Sequence, residues 1–262
     1  MINSKPKISI VTACLNSAQF IEKTIESVLN QNYQNLEYII IDGGSTDGTI
    51  EVIEKYKLQL KYFISEKDLG HANALNKGFK VSTGEIMGFL NADDIYMPWT
   101  FETISEVFLS FADVNWITGI QSFINDRGEN IGTGLILKNI QDFLNDRHEW
   151  IQQESTFWKR SLWEKAGGCI NEEYKFSIDT DLWARFFLHE RLYHLNSIIA
   201  SFRHHSNCRS INNSVVVRNE CNLIIQKLKS KYYGNYNVPD DYPRIVYDSK
   251  EYLWKKALTK KN

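Results

Sequence analysis

The sequence predicts an α/β fold built on a parallel sheet, and three of its features carry that prediction. Short β-rich runs alternate with segments of helical apolar spacing from Ile8 to Gly119. Each run stops at small and polar residues. The run Ile86-Met87-Gly88-Phe89-Leu90 stops at Asn91-Ala92-Asp93-Asp94, which points two adjacent carboxylates at solvent.

Ile8 to Ala13 is the first strand, and after Asn16-Ser17 the apolar spacing changes to Ile21, Ile25, Val28 and Leu29, which is helical. Glu37 to Ile41 forms a second strand closed by Asp42-Gly43-Gly44-Ser45, with Thr46 expected to cap a helix that buries Ile50 and Ile53. Leu60 to Ser65 is a third strand, Gly70 to Val81 a helix, and Glu85 to Leu90 a fourth strand. Such alternation implies parallel strands joined by right-handed crossovers. Pro98 is placed to start a helix with the stripe Phe101, Ile104, Phe108 and Phe111, and Val114 to Gly119 returns as a strand.

Beyond Gly119 the alternation weakens. Ser122 to Asn125, the turn Asp126-Arg127-Gly128 and a strand near Ile131 read as a hairpin. Gln152 to Trp158 is rich in polar and aromatic residues, and Ser161 to Ala166 is a short helix stopped by Gly167-Gly168. A further helix after Asp179 turns Leu182, Trp183, Phe186 and Phe187 inward and sets Asp181 opposite Arg185 at i, i+4.

At 262 residues, with 43% hydrophobic and 24% charged, the chain can bury a sizeable core in one large domain or two intimate lobes. A net charge of −2 argues against nucleic acid as a partner, because phosphate-backbone binding shows as a basic excess. Cys14, Cys169, Cys208 and Cys221 form no CxxC pair, so neither a zinc cage nor a disulfide framework is indicated and a reducing cytoplasm fits. Neither a signal peptide nor a membrane-spanning run is visible. In the tail, Lys227, Lys229, Lys231, Lys255, Lys256, Lys260 and Lys261 are interleaved with Tyr232, Tyr233, Tyr252 and Trp254. That pattern suits a solvated helix face or peripheral contact with the inner face of a membrane.

Ligands of open α/β sheets bind beyond the carboxyl ends of the strands, and Thr12 to Asn16, Asp42 to Ser45 and Asn91 to Asp94 all lie at such ends. Asp93 and Asp94 suit a hard cation, Mg²⁺ or Mn²⁺, whose shell a substrate phosphate completes; the bland alternative is a cap on the next helix. Asp42 to Gly48 lacks the Lys of a Walker loop and the spacing of a dinucleotide fingerprint, which excludes an ATPase or dehydrogenase signature. Asp42 can accept hydrogen bonds from a base or ribose, or close an Asx turn.

Val11 to Asn16, Ile40 to Thr49, Ser65 to Gly70 and Phe89 to Asp94 resemble, in order and spacing, the family 2 glycosyltransferases. Asn76-Lys77-Gly78, Thr83-Gly84-Glu85, Gln153 to Trp158 and Asp179 to Trp183 extend the resemblance over roughly residues 7 to 210. It implies a GT-A fold, with a Rossmann-like mixed central sheet flanked by helices and a helical C-terminal extension. It further implies a UDP-, GDP- or dTDP-sugar donor, Mn²⁺ or Mg²⁺, a saccharide or lipid-linked saccharide acceptor, and inversion at the anomeric carbon. On this reading residues 1–119 bind the nucleotide sugar, 120–213 bind the acceptor and supply the base, and 214–262 form a helical tail.

Carried over residue by residue, Thr12 and Ala13 touch the base, and Asp42 reads base or ribose. Asn91-Ala92-Asp93 occupies the Asp-x-Asp position, with Asn in place of the first Asp, so Asn91 and Ala92 belong to the donor site. Asp93 is the metal ligand with Asp94 as alternate or second, and His205, in a segment resembling the family's Arg-x-His, is a further candidate. Asp179 falls at the catalytic base, although Ile178 replaces the Glu usual before it; Asp181 is the fallback. Such a base contributes typically about 10²- to 10⁴-fold. Trp150 and Trp158 are candidate sugar-stacking faces, while His71, His148, His189 and His194 show no metal spacing and receive no role. Two rivals remain: a nucleotidyltransferase, disfavoured because Ala13 to Asn16 lacks a basic Gly-rich loop, and a non-catalytic nucleotide-sugar or glycan-binding protein.

Overall fold

The computed structural model describes residues 5–145, 151–235, 239 and 241–259. Its first half follows the predicted alternation: β1 (Ile8–Cys14), α1 (Ile21–Leu29), β2 (Leu36–Asp42), α2 (Thr49–Glu54), β3 (Tyr62–Ser65), α3 (His71–Val81) and β4 (Ile86–Phe89). β1 pairs in parallel with both β2 and β4, and β2 with β3. Helices on both faces bury β1 completely, so it reads as an apolar run whose hydroxyls need partners. Ser9 donates to Glu37 at 2.7 Å, and Thr12 meets the Tyr38 hydroxyl at 3.1 Å.

Each helix docks by its apolar stripe. Ile21, Thr24, Ile25 and Val28 are the buried face of α1, and Ala72, Ala74, Leu75, Gly78 and Phe79 that of α3. Gly78 permits the close approach, since a Cβ there would lie 2.4 Å from Val11 Cγ1. Thr46 is not the cap of α2: the helix starts after Gly48, left-handed at φ 99°. Asp47 instead accepts from the Thr49 N–H and hydroxyl and from the Ala18 N–H, tying the start of α2 to the loop before α1.

The second half contains β5 (Ile95–Tyr96), α4 (Thr100–Ser110), β6 (Trp116–Thr118), β7 (Gln121–Ile124), β8 (Asn130–Gly134), α5 (Ile140–Leu144) and β9 (Thr156–Lys159). It continues through α6 (Arg160–Lys165), α7 (Ile178–Phe187), β10 (Tyr193–Leu195), β11 (Ala200–Arg203), α8 (Arg209–Asn212), α9 (Ser214–Asn235), β12 (Tyr242–Asp248) and β13 (Leu253–Thr259). Nine strands form the main sheet in the order β13-β12-β10-β6-β9-β4-β1-β2-β3, and β5-β11-β7-β8 form a smaller one. β9 is antiparallel to both β4 and β6, which makes the main sheet mixed.

β9 is buried on both faces, Phe157 in the core layer under α1 and α4 and Trp158 in the layer under α3 and α7, so it shows no polar alternation. Trp158 packs among Phe79, Phe89, Trp163, Trp183 and Phe186 and is fully buried, so it offers no face to a sugar. Trp150 lies outside the described residues. The predicted hairpin is β7–β8.

The tail is helical only in its first part. α9 packs on α7, but Tyr242 to Thr259 form the β12–β13 hairpin, and β12 extends the main sheet in parallel beside β10. Within β12 burial falls off along the strand, from Tyr242, Pro243 and Ile245, which are buried, to Tyr247, which is exposed. No helix among the described residues is long and apolar enough to cross a membrane. All four cysteines are free.

Candidate active site

The ends of β1, β2 and β4 meet at one edge of the sheet. Asp42, the last residue of β2, is fully buried and accepts from the Gly44 N–H at 3.0 Å, the Ser45 N–H at 2.9 Å, the Ser65 hydroxyl at 2.6 Å and the Ser45 hydroxyl. Burial opposes its ionisation, but these donors together outweigh burial and hold the carboxyl below its ordinary value. Asp42 therefore shapes the Gly43-Gly44-Ser45 loop with the oxygens expected to read a base. Thr12 is likewise turned into the core towards Tyr38 and offers no side chain to a ligand. Ala13 and Ala92 are buried small residues.

The Asn91–Asp94 turn separates its two carboxylates. Asp93 is part-exposed, and its Oδ2 lies 2.9 Å from His205 Nε2. The His205 ring is held from behind by the Phe20 ring, centroids 4.8 Å apart, and the His205 backbone N–H donates to Cys208 Sγ. Arg203, at the end of β11, donates through Nε to the Asp93 carbonyl at 2.7 Å and lies over Phe20, fixing the turn against the smaller sheet. Asp94 points the other way. Fully buried, it accepts from the Arg203 N–H at 2.8 Å and from Asn91 Nδ2 at 3.1 Å. Burial, reinforced by Glu154 and Asp93, raises its carboxyl well above the ordinary range. Asp94 is thus a structural acid and not the alternate metal ligand, and Asn91 serves as its partner.

The α7 start divides its carboxylates in the same way. Asp179 is part-exposed and accepts from the Thr180 N–H at 2.7 Å. Asp181 is buried and paired with Arg185 Nε at 2.9 Å, and the same guanidinium donates to the Ala166 and Cys169 carbonyls. That pairing pins the loop around Gly167-Gly168 and engages the Asp181 carboxylate, the expected fallback base, within the structure.

Two residues without a predicted role sit among these groups. Glu154, in the 3₁₀ turn Gln153–Ser155 before β9, is fully buried, and neither of its oxygens has a hydrogen-bond partner among the described residues. Burial first, then the charges of Asp93 and Asp179, push its carboxyl up to about 8. The charges that reach it therefore come from both the β4 end and the α7 start. The visible signal was the polar run Gln152-Gln153-Glu154-Ser155-Thr156 ahead of two large aromatics, which a surface loop does not require. His71, at the start of α3, feels both Asp93 and Arg209. Among the described residues no group of three or more His, Cys, Asp or Glu converges as a preformed metal cage; the part-exposed Asp93 carboxylate is the donor that suits a hard cation, with the His205 imidazole beside it as a second, softer donor.

A sequence model described as glycosyl transferase family 2 matches residues 9–160. An uncharacterized glycosyltransferase of Haemophilus influenzae is 27% identical over 254 residues, 88% of this chain and 75% of that protein. The chondroitin synthase of Pasteurella multocida is 27% identical over 98% of this chain, which spans only 26% of the synthase. Among solved structures, residues 1–349 of Staphylococcus aureus TarS in complex with UDP-GlcNAc superpose with a TM-score of 0.66 at 15% identity, covering 88% of this chain and 73% of that one. The mannosyltransferase PcManGT of Pyrobaculum calidifontis, in complex with GDP-Man and Mn²⁺, gives 0.65 at 18% identity, covering 90% and 67%. With the mixed sheet, the converging strand ends and a family match over more than half its length, the chain belongs to glycosyl transferase family 2 and is a glycosyltransferase of the GT-A fold.

Proposed function

We propose that this glycosyltransferase moves a sugar from a nucleoside-diphosphate donor to a saccharide or lipid-linked saccharide hydroxyl with inversion. The observation that carries the reading is the Asp93–His205 pair: one accessible carboxylate and one imidazole, 2.9 Å apart, at the end of the strand where the donor loops converge. The Asp93 carboxylate fits Mg²⁺ or Mn²⁺, which protein sites commonly hold by one or two carboxylates and complete with substrate phosphates, and His205 would add an imidazole that Mn²⁺ accepts more readily than Mg²⁺. When bound, such an ion supplies positive charge to the departing diphosphate.

The chain's own residues do the rest. Asp179 takes the proton of the acceptor hydroxyl as its oxygen attacks the anomeric carbon; the bond from that carbon to the diphosphate oxygen breaks, and the electron pair leaves with the diphosphate. Asp94, Arg203 and Asn91 hold the Asp93 turn, and Asp181 with Arg185 holds α7, so both reacting edges rest on rigid elements. Donors named on two solved structures of this fold, UDP-GlcNAc and GDP-Man, support the nucleotide-sugar class. The likeness to chondroitin synthase supports a polysaccharide acceptor. A cytoplasmic setting with the Lys227, Lys229 and Lys231 face near an anionic membrane would suit a lipid-linked acceptor.

The test is incubation of the purified chain with UDP-, GDP- and dTDP-sugars, with and without Mn²⁺, reading released nucleotide and thermal stabilisation. Cation-dependent release of a nucleoside diphosphate, lost in Asp93→Ala, is the expected result. Pyrophosphate release from a nucleoside triphosphate would replace this reading with nucleotidyl transfer, and binding without turnover over a broad acceptor set would replace it with a binding protein.

A further inference from the structure

Of the groups at this edge that the proposed reaction leaves unused, His71 has the surroundings of a ligand contact. It opens α3, immediately after Gly70, and its ring lies edge-on to Phe89 at the end of β4, centroids 6.4 Å apart. The ring is partly buried, and neither nitrogen has a hydrogen-bond partner among the described residues. Burial, together with the charge of Arg209, pushes its pKa down to about 4 against the pull of Asp93, so the imidazole is neutral near pH 7 and presents one N–H donor.

Arg209, at the start of α8, is exposed and lies over the Phe176 ring at 5.5 Å, and among the described residues it has no ion-pair partner. The contacts bring both groups to the Asp93 turn. His205 bonds Asp93 and its backbone N–H donates to Cys208, the residue before Arg209, while His71 packs against Phe89, which ends the strand leading into the turn. An imidazole N–H without an acceptor and a guanidinium without an anion at one edge of the sheet are a donor set for an oxyanion. A carboxylate is already in place for a cation next to it.

We propose that His71 and Arg209 bind the phosphate of the donor that carries the sugar, His71 through a ring N–H donated to a phosphate oxygen. The proposal rests on the nucleoside-diphosphate donor reading and adds to it the side chains that hold the leaving group apart from the cation. As the bond to the sugar breaks, negative charge grows on that phosphate, and a neutral N–H together with the guanidinium strengthens its hold at that moment.

Calorimetric titration of the full chain, as wild type, His71→Ala and His71→Gln, tests it with Mn²⁺ alone and with the mono- and diphosphates of uridine, guanosine and thymidine in the presence of Mn²⁺. In His71→Ala, diphosphate affinity is expected to fall about tenfold while Mn²⁺ and monophosphate affinities hold, and His71→Gln, which keeps an N–H donor, to recover most of the loss. Unchanged diphosphate binding in His71→Ala overturns the contact. Loss of Mn²⁺ binding on its own makes His71 a cation ligand instead, and equal loss of mono- and diphosphate makes it a support of the pocket wall. A wild type that binds no diphosphate overturns the donor reading, and this inference with it.

Discussion

The β4 end and the α7 start each carry two carboxylates close in sequence, and in each region one is part-exposed while the other is locked away. At the turn after β4, Asp93 meets His205 at part-exposed surface and Asp94 is fully buried on neutral donors. At α7, Asp179 is part-exposed and Asp181 is ion-paired with Arg185. The locked members differ in kind. Asp94 has no close cationic side chain bonded to its oxygens, so burial raises its pKa, whereas Asp181 is held by a guanidinium. Sequence proximity of two acids therefore says little about shared function; the partner each finds decides.

That comparison is sharpest in activity. Asp179→Asn should lower turnover by about 10²- to 10⁴-fold, the usual contribution of a general base, and leave the melting temperature unchanged. Asp93→Ala should lower it by about 10²- to 10³-fold in a Mn²⁺-dependent assay, again with an intact fold. If Asp181→Ala matched Asp179→Asn in lost turnover at equal stability, the division of labour at α7 would be refuted.

The locked members should instead show in stability. Asp94→Ala orphans the Arg203 N–H and should destabilise by about 1 to 3 kcal/mol, measured by urea unfolding. Asp94→Asn should be milder, because Asn91 can turn its amide to keep both bonds. Asp181→Ala should cost about 1 to 2 kcal/mol, since Arg185 keeps its two carbonyl acceptors.

Glu154 gives the subtlest difference, visible as a pH trend. Its folded-state carboxyl titrates near 8 against an ordinary 4.5, so the folded chain holds a proton that the unfolded chain has released between those values. Its contribution to stability is full below about 4.5 and declines as pH rises towards 8. Glu154→Gln should remove that decline, so the melting temperature of the variant relative to wild type should climb across this window. A difference independent of pH would show that Glu154 finds a partner in solution.

The first half of the chain was legible because its signals are local. Strand runs, helical stripes and polar strand ends around β1 to β4 can each be read within a few residues, and the Asp93 position followed from them. Asp94 and Asp181 could not be sorted from Asp93 and Asp179, because Arg203 and the Ala166–Cys169 carbonyls that fix the structure there are distant or carry no sequence signature. β9 escaped because burial on both faces removes alternation, and the tail hairpin because its basic residues resembled a helix face. Glu154 escaped because an acid beside aromatics reads as surface until its burial is known.

The antiparallel placement of β9 also has a consequence in time. β9 must find Ile86-Met87 on one side and Trp116 to Thr118 on the other, so it cannot join the sheet until Thr156–Lys159 have been made, whereas β1 to β4 are complete by Phe89. Chains emerge and begin to fold from the N-terminus during synthesis. On the ribosome, then, β1 to β4 should become protected from hydrogen exchange before Phe157 and Trp158 do. A chain caught in that interval would own the strand ends that carry Asp42 and Asp93 without Glu154 among them, so competence for catalysis should arrive late in assembly.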